Sequence, residues 1–454
     1  MMNLRGRKTL VVGLARTGVA LAHFLAGQGA QVTVTDAASP EALAEARREM
    51  DALGAVQELG VPQPQEPQGY DLILVSPGVP PELTWLEAAR QAGVPVWGEL
   101  ELASHFFTLP VLAVSGTNGK TTTTTLLGEL LTAGGLKPLV GGNIGTAATT
   151  LLGQQSQSTH VVLEVSSFQL DTAPLFHPQA AALLNITPDH LDRYPSLDAY
   201  VASKAGLFRC QEPADLSVLN YDDPYLRDLP LGTQRVRYFS TTRILEEGAW
   251  LDGDSLRVRL DPGQEADFVV ADILLTGRHN LENVMAALLL ALDAGVEPAS
   301  CRQVLASFKG LHHRQEWVAT IQGVDFVDDS KGTNVGAVAS ALASYDCPVI
   351  LIAGGRDKDS DFTLLSSLIR KRVKALVLMG ETREHLARVW AGLAPAHVVG
   401  DMAQAVEQAR RLAEPGDLVL LSPACASFDM FRDYAHRGET FQHLVLEAAH
   451  AEKA

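Results

Sequence analysis

Residues 113–121 read AVSGTNGKT and connect an apolar run to a second periodic stretch. The apolar run predicts a buried strand at Val111–Ser115, and the stretch after the loop predicts a helix over 122–133. A strand that leads through a glycine-containing loop into a helix is typical of parallel α/β sheets. This segment therefore predicts an α/β protein and places a ligand loop at the carboxyl end of a strand.

The chemistry of this loop favours a phosphate site. Gly116 and Gly119 let the backbone fold tightly, and the first amides of a helix point towards an anion. Lys120 adds a positive charge, and the hydroxyl of Thr121 can bind Mg²⁺. The glycines are three residues apart rather than the usual five, so a turn that binds nothing is the alternative. The other residues predicted to bind ATP here are Thr117, Asn118 and Thr122.

The chain length and the pattern of apolar runs predict three domains. A length of 454 residues fits about three domains of roughly 150 residues. We expect them at 1–107, 108–310 and 311–454, with a small antiparallel insertion between residues 235 and 276. The predicted strands outside the loop are 9–12, 31–35, 72–76, 94–97, 161–165, 181–185, 324–328, 349–353, 375–379 and 418–422.

Composition narrows the functional class. A formal net charge of −17 argues against nucleic-acid binding, which needs a basic face. No apolar run approaches the roughly 20 residues of a membrane helix, and no signal-peptide core precedes the first strand. We therefore expect a cytoplasmic protein that binds small molecules; that it acts as a monomer is a further expectation, which the sequence does not establish. The four cysteines are far apart in the sequence, which fits reduced thiols.

Acidic and imidazole side chains follow two more predicted strands. Glu164 ends one apolar run, and residues 185–192, NITPDHLD, follow another. Strand carboxyl ends face the ligand crevice of an open α/β sheet, where such groups can bind a divalent ion. A single acidic strand end is often only solvated, but its coincidence with the phosphate loop favours a metal site.

Four motifs in this order resemble the central domain of the Mur ligases: GTNGKT at 116–121, GGNIG at 141–145, EVSSF at 164–168 and NITPDHLD at 185–192. The resemblance implies a central P-loop-type mononucleotide-binding parallel sheet between Rossmann-like N-terminal and C-terminal domains. It also implies ATP and two Mg²⁺ ions as cofactors.

The same resemblance assigns roles to single residues. Glu164 and His190 would bind metal, and Asn143, with His190, would contact a sugar-peptide substrate. Lys204 would become a carbamate by reaction with carbon dioxide, which turns a cation into an anionic Mg²⁺ ligand. From the residues alone, Lys204 would be a solvated helix lysine.

Further motifs resemble the family's nucleotide-binding segments. In GRHNLEN, residues 277–283, Asn280 and Asn283 would read the adenine, although Asn280 could instead cap a helix. Arg314 would stabilise charge on the transferring phosphate. Asp329 would help to hold the nucleotide, with an acidic helix cap as the alternative.

The C-terminal segment resembles the amino-acid site of the family's D-glutamate-adding branch. The string SPACAS at 422–427 is the feature that separates this branch from its relatives. Because nucleotide-binding groups also come from the central segment, closure of the third domain is expected to assemble the site. The residues implied to surround D-glutamate are Lys331, Thr333, Lys358, Ser427 and Tyr434.

The loop after the first predicted strand reads GLARTG at 13–18. It lacks the G-x-G-x-x-G spacing of a dinucleotide site, and by the resemblance it holds the diphosphate of a UDP-linked substrate. NAD binding is the alternative, because Asp36 resembles an acidic residue that would bind a ribose. The predicted UDP-substrate residues are Leu14, Ala15, Arg16, Thr17, Gly18, Asp36, Ser76 and Gly78.

The resemblance to the Mur ligases implies an ATP-dependent ligase that joins D-glutamate to UDP-N-acetylmuramoyl-L-alanine. ATP would phosphorylate the alanine carboxylate, and the amine of D-glutamate would then displace phosphate. Lys120, Glu164, His190, Lys204 and Lys331 are the predicted catalytic residues. Three alternatives are another amino-acid-adding ligase, including folylpolyglutamate synthetases, a NAD-dependent oxidoreductase, and a nucleotide-controlled binding module without chemistry.

Overall fold

The structure of the protein is a computed structural model. It describes residues 2–80, 83–189, 193–261, 263, 265–275, 277–357 and 360–451. The predicted site residues His190 and Lys358 lie outside the described residues, as does the side chain of Arg16. Among the described residues, no helix is both long enough and apolar enough to span a membrane.

The first sheet has five parallel strands in the order β3-β2-β1-β4-β5. Its strands β1 and β4 are almost wholly buried, and apart from Lys8 and Thr9 their side chains are apolar on both faces. The elements of this segment are β1 (Lys8–Val12), α1 (Arg16–Gly27), β2 (Gln31–Asp36), α2 (Ala44–Leu53), β3 (Val56–Leu59), β4 (Leu72–Val75), α3 (Thr84–Gln91), β5 (Val96–Gly98) and α4 (Glu99–Ser104).

The second sheet has nine strands in the order β14-β13-β12-β11-β10-β9-β6-β8-β7. Its elements are β6 (Val111–Ser115), α5 (Lys120–Ala133), β7 (Pro138–Gly142), α6 (Ala148–Leu151), β8 (His160–Glu164), α7 (Ser167–Leu170), β9 (Ala180–Leu183), α8 (Leu197–Ala205), β10 (Leu216–Asn220), α9 (Pro224–Arg227), β11 (Arg235–Ser240), β12 (Gly248–Asp252), β13 (Ser255–Arg259), β14 (Glu265–Val269), α10 (Arg278–Asp293) and α11 (Pro298–Leu305). The predicted antiparallel insertion is the meander β12-β13-β14, which extends this sheet rather than forming a separate one.

The third sheet has six strands in the order β15-β16-β20-β17-β18-β19, antiparallel only between β15 and β16. Its elements are β15 (Glu316–Ile321), β16 (Val324–Asp328), α12 (Val335–Ala343), β17 (Val349–Ala353), α13 (Ser366–Arg372), β18 (Val373–Leu378), α14 (Arg383–Val389), β19 (Ala396–Val398), α15 (Met402–Leu412), β20 (Leu418–Leu421) and α16 (Tyr434–Ala451). Apolar clusters cover both of its faces.

The α/β fold class is confirmed, with one sheet in each predicted domain range. The chain forms two compact units. The first unit holds the first two sheets and comprises Met1–Ile186, Asp198–Asp272 and Glu282–Val304, and the second comprises Thr187–Leu197, Ile273–Leu281 and Leu305–Ala454. The boundaries 1–107, 108–310 and 311–454 stay a prediction.

Candidate active site

The predicted phosphate loop lies between β6 and α5, and β6 is an interior strand of the second sheet, between β9 and β8. Gly116 and Gly119 both have positive φ, +149° and +83°. A Cβ on Gly119 would lie 2.2 Å from Oδ1 of Asn283, so the loop backbone approaches α10 too closely for a side chain. Thr121 and Thr122 follow in the first turn of α5.

Two lysine side chains meet on this loop. Nζ of Lys120 donates to the carbonyl oxygens of Gly116 and Thr117, each at 2.8 Å. Nζ of Lys204, whose side chain is buried on α8, donates to the same Gly116 oxygen at 2.8 Å and lies 4.8 Å from the ring centroid of Tyr200. Their convergence gives this strand end the local positive charge that an acidic protein needs to bind polyphosphate.

Asn185, two residues after β9, stabilises the phosphate loop. The sequence pattern did not predict this role. The backbone carbonyl of Asn185 accepts from the Thr117 amide at 2.9 Å. Its side-chain oxygen accepts from the Asn118 amide at 2.8 Å, and its Nδ2 donates to the Asn118 carbonyl at 3.1 Å. Its position at the start of the NITPDHLD motif, directly after a strand, was the available signal.

A buried carboxylate lies at the end of the neighbouring strand β8. Glu164 pairs with Gly142 on β7, which brings Asn143 alongside it. Oε1 of Glu164 accepts from Nδ2 of Asn143 at 2.9 Å, whereas Oε2 is buried and has no hydrogen-bond partner among the described residues. A buried, unpaired carboxylate oxygen is costly, and a bound cation would remove that cost. The donor set therefore fits Mg²⁺ at Glu164.

The predicted base-reading residues fall in different units. Asn283 is buried in the first unit against Gly119. Asn280 belongs to the second unit. Also in the second unit, Oδ2 of Asp189 accepts from Nδ2 of Asn334 at 3.2 Å, so that carboxylate contacts the cap of α12.

The N-terminal loop lies where the order of the first sheet reverses, next to β1. The carboxylate of Asp36 accepts from the Leu14 amide at 2.7 Å and from the Ala38 amide at 2.8 Å. The Ser76 hydroxyl donates to the Gly13 carbonyl at 2.9 Å, and a Cβ on Gly18 would lie 1.8 Å from that oxygen.

The side chains of Asp36 and Ser76 thus stabilise the backbone of the N-terminal loop through hydrogen bonds. Of the other predicted residues, Ala15 precedes α1, Thr17 and Gly18 lie in its first turn, and the exposed Gly78 follows β4. A crevice at such a reversal point, with helix amides facing it, suits a diphosphate.

In the second unit, the loops after β16 and β20 meet. Ser422 donates to Oδ2 of the buried Asp329 at 2.6 Å, and the Gly332 carbonyl accepts from the Ala424 amide at 2.9 Å. Burial raises the pKa of the Asp329 carboxyl to about 7, although the Ser422 hydroxyl and the charge of Arg314 act in the opposite direction.

The predicted amino-acid residues lie along these loops. Nζ of Lys331 is 3.6 Å from the ring centroid of Tyr434, a cation-π contact. Ser427 is buried, and Thr333 lies two residues beyond Lys331 in the loop before α12. Paired backbone hydrogen bonds between Arg356 and Ala426 bring the segment before Lys358 to the SPACAS string.

The sequence reasoning also missed Arg437, which is buried on α16. Its guanidinium donates to the Ser330 hydroxyl at 3.0 Å, the Ser330 carbonyl at 2.8 Å and the Cys425 carbonyl at 3.2 Å. Burial lowers the pKa of Arg437 to about 10. The residue connects the two loops, but its partners are too distant in sequence to signal the contact.

A cluster of His313, Glu316 and Asp328 has the residue types of a metal site. Nδ1 of His313 lies 2.6 Å from Oδ2 of Asp328, and Nε2 of Gln442 donates to Asp328 at 2.8 Å and to Glu316 at 2.9 Å. A Cβ on Gly438 would lie 2.1 Å from Nδ1 of His313. Since the ligand atoms already bind one another and α16 crowds them, the cluster is a hydrogen-bonded network.

A strand, glycine loop and helix with converging lysines and an adjacent buried carboxylate are the features of a nucleotide-binding α/β protein. Comparison with known proteins refines this class. Three family models match successive segments: the Mur ligase MurD-like N-terminal domain at 7–98, the Mur ligase middle domain at 114–291, and the Mur ligase glutamate ligase domain at 313–425.

Relatives match the chain along its length. The UDP-N-acetylmuramoylalanine--D-glutamate ligase of Geotalea daltonii is 44% identical, over 99% of each chain. The enzyme of the same name from Koribacter versatilis is 43% identical, over 100% of each chain. A solved pseudomurein peptide ligase type C from Methanothermus fervidus, 17% identical, shares the fold with a TM-score of 0.61 over 98% of this chain and 100% of that one. The chain belongs to the Mur ligase family.

Proposed function

We propose that the protein joins D-glutamate to UDP-N-acetylmuramoyl-L-alanine, with conversion of ATP to ADP and phosphate, as a step of peptidoglycan precursor synthesis. The names of full-length relatives support the substrates. The observation that carries the chemistry is the strand-end arrangement of Lys120, Lys204 and Glu164 around one phosphate loop. The proposed domains are 1–107 for the UDP-substrate, 108–310 for ATP and 311–454 for the amino acid.

ATP would bind with its phosphates on the central loop. The amides at the start of α5 point towards an anion, and Lys120 can exchange its carbonyl partners for phosphate oxygens. Asn280 and Asn283 would contact the base, while Arg314 and Asp329 would act on the nucleotide from the C-terminal segment. The loop residues in this proposal are Gly116, Thr117, Asn118, Gly119, Lys120, Thr121 and Thr122.

The family uses ATP and Mg²⁺. Glu164 offers its unpaired Oε2, and Thr121, His190 and a carbamylated Lys204 would complete sites for two ions. Bound Mg²⁺ would neutralise phosphate charge and orient the γ-phosphate. The carbamate proposal is supported by position: Lys204 is buried, and its Nζ lies at the phosphate loop.

The UDP-substrate would lie with its diphosphate on the N-terminal loop. Asp36 and Ser76 hold the backbone of that loop in place, so they would act on the substrate by positioning the loop amides. Asn143, beside Glu164, would contact the peptide end of the substrate near the reacting carboxylate. The residues proposed for this substrate are Leu14, Ala15, Arg16, Thr17, Gly18, Asp36, Ser76, Gly78, Asn143 and His190.

D-Glutamate would be held by the C-terminal loops. Lys331, in contact with the ring of Tyr434, would bind a carboxylate, and Thr333 and Ser427 would add hydroxyl donors. Lys358 would bind the second carboxylate. A cation-π contact orients an ammonium group without neutralising it, so Lys331 can still bind an anion.

The chain's residues would then act in two steps. Lys120 and Arg314 would stabilise charge as the γ-phosphoryl group moves to the alanine carboxylate, which becomes an acyl phosphate. The D-glutamate amine, oriented by Lys331, would attack the acyl carbon. The tetrahedral intermediate would release phosphate and leave an amide. We also propose that the protein works in the cytoplasm, where ATP is available, as a monomer.

The experiment is a phosphate-release assay on the purified protein with ATP and Mg²⁺. Release that needs both D-glutamate and UDP-N-acetylmuramoyl-L-alanine, with a product heavier by one glutamate, is the expected result. Parallel reactions with L-glutamate, L-alanine and L-lysine test the amino-acid choice. Equal release without D-glutamate, or faster reaction with another amino acid, would overturn the proposal. A nicotinamide absorbance assay tests the oxidoreductase alternative.

A further inference from the structure

His279, the second residue of α10, connects three segments of the second unit. Its Nδ1 lies 3.0 Å from the hydroxyl oxygen of Ser344, the residue that follows α12. Its Nε2 lies 3.0 Å from the side-chain amide nitrogen, Nε2, of Gln315. These partners are 65 and 36 residues away in sequence. A single imidazole therefore joins the start of α10 to two parts of the C-terminal segment.

The hydrogen bonds specify one neutral tautomer of His279. The Ser344 hydroxyl donates to the Ser340 carbonyl at 2.8 Å, so its oxygen accepts from Nδ1–H of His279. The amide nitrogen of Gln315 can only donate, so Nε2 of His279 accepts. Burial lowers the pKa of His279 to about 4, which agrees with an uncharged ring at neutral pH.

The backbone around His279 is closely packed. Gly277 has a φ of +91°, and a Cβ there would lie 3.0 Å from the Ser344 hydroxyl oxygen and 3.1 Å from Cε1 of His279. The segment before α10 can therefore approach Ser344 only because residue 277 is glycine. This packing restricts the imidazole to one position.

Three proposed nucleotide residues adjoin this network. Asn280 follows His279 in α10, and Arg314 precedes Gln315 in the chain. The backbone N–H of Gln315 donates to the carboxylate of Asp329, whose pKa is raised by burial and lowered in part by the charge of Arg314. Gln315 itself has a φ of +48°, so its backbone conformation is one that a non-glycine residue rarely adopts without support.

We propose that His279 is a positioning residue for the nucleotide, which fixes Asn280 relative to Arg314 and Asp329 and thereby sets the preference for adenine. The inference rests on the proposed function, because that function makes Asn280 a reader of the base. The site holds its polar groups in a preorganised arrangement, so loss of one bridge should weaken recognition of ATP more than recognition of the other substrates.

The test compares the full-length protein with His279→Ala, His279→Asn and Ser344→Ala in steady-state assays with ATP and with GTP. His279→Ala is expected to raise the KM for ATP about tenfold and to reduce the ATP-to-GTP ratio of kcat/KM by a similar factor, the effect of losing roughly one buried hydrogen bond. The KM for D-glutamate should stay within about twofold. ATP binding by calorimetry without the other substrates should weaken in parallel.

Conservative variants separate positioning from folding. The amide nitrogen of asparagine can occupy the place of the ring Nδ1, so His279→Asn should keep the bond to Ser344 and recover part of the ATP preference. Ser344→Ala should shift the ratio in the same direction as His279→Ala. Ser340→Ala is the matched control, because only the backbone carbonyl of Ser340 takes part in the network. It should behave as the wild type.

An unchanged ATP-to-GTP ratio in His279→Ala would overturn the inference while leaving ligase activity intact. The inference would also be overturned if His279→Ala lowered kcat/KM equally for ATP and GTP, in proportion to its fall in melting temperature, and His279→Asn did not restore it. Absence of any D-glutamate-dependent activity in the wild type would instead overturn the proposed function, so the two failures are distinguishable.

Discussion

The loop after β1 and the loop after β6 have similar backbone arrangements but different side chains around them. Each follows a buried parallel strand and precedes a helix, and each has a glycine with positive φ, Gly13 at +88° and Gly119 at +83°. The central loop receives Lys120 and Lys204 on the Gly116 carbonyl, whereas the N-terminal loop is braced by the carboxylate of Asp36.

The difference between the two loops indicates that phosphate binding and phosphoryl transfer need different groups. Backbone amides at a helix start can hold phosphate in either loop. Phosphoryl transfer also needs positive charge where negative charge develops and a ligand for a metal, and the central loop has Lys120 with Glu164 beside it. We therefore expect changes at the central loop to act on kcat and changes at the N-terminal loop to act on substrate KM.

The largest expected effect is at Lys120. Lys120→Ala should lower kcat about 1,000-fold, because it removes a cation from the transferring phosphate. Binding of the UDP-substrate, measured by calorimetry, should be unchanged. The matched control is Lys137→Ala, which removes an exposed lysine after α5. A loss confined to UDP-substrate binding would contradict the assignment of the two loops.

Glu164→Gln should lower kcat about 100-fold and raise the Mg²⁺ concentration needed for half-maximal rate. Because Oε2 of Glu164 is buried without a hydrogen-bond partner among the described residues, the neutral variant should melt above the wild type in EDTA. Added Mg²⁺ should reduce or reverse that difference. Glu129→Gln, at an exposed site on α5, is the control. Melting differences independent of Mg²⁺ would argue against a metal at Glu164.

Gly18→Ala tests the N-terminal loop. Its Cβ would meet the Gly13 carbonyl oxygen at 1.8 Å, so the loop must shift. We expect the KM for the UDP-substrate to rise about tenfold with little change in kcat. Gly27→Ala at the end of the same helix is the control, since nothing lies within 4 Å of its Cβ position. A lower kcat with an unchanged KM would contradict the assignment of the N-terminal loop to substrate binding.

The smallest effect concerns Glu99, the first residue of α4, which contacts α6. Its Oε1 accepts from the Thr149 amide at 2.5 Å and from the Thr149 hydroxyl at 2.8 Å, and burial raises the pKa of its carboxyl. Since the folded state favours the protonated form, this contribution to stability is present at low pH and is lost as pH rises through the folded-state pKa.

Glu99→Gln stays neutral at every pH and should remove that dependence. Melting temperatures of wild type and variant should agree below about pH 4, under the ordinary glutamate pKa, and should diverge in favour of the variant as the pH rises. Parallel curves over this range would show that Glu99 keeps its ordinary titration in the folded protein.

The sequence predicted the elements that carry strong apolar runs. Strands β1, β6 and β17 have four or five buried residues in succession, and the sequence predicts each of them to within a residue. The edge strand β3 was missed because none of its four residues is fully buried, so it shows little apolar pattern. An edge strand is held by its neighbour's hydrogen bonds more than by its own side chains.

Site residues, like strands, could be predicted only where the local sequence carries a recognisable pattern. Lys120 and Glu164 could be proposed as site residues because Lys120 begins the helix after the glycine loop and Glu164 ends a strand, each within a recognisable motif. Arg437 and His279 could not, because the contacts that give them a role span 107 and 65 residues of sequence. Those contacts depend on how strands and helices pack, which the local pattern does not contain.

The most direct test of the proposed chemistry is oxygen transfer. UDP-N-acetylmuramoyl-L-alanine labelled with ¹⁸O in its alanine carboxylate would be incubated with the protein, ATP, Mg²⁺ and D-glutamate, and the released phosphate analysed by mass spectrometry. An acyl phosphate predicts that one labelled oxygen per turnover appears in phosphate. Release of unlabelled phosphate alongside formation of the amide would contradict it.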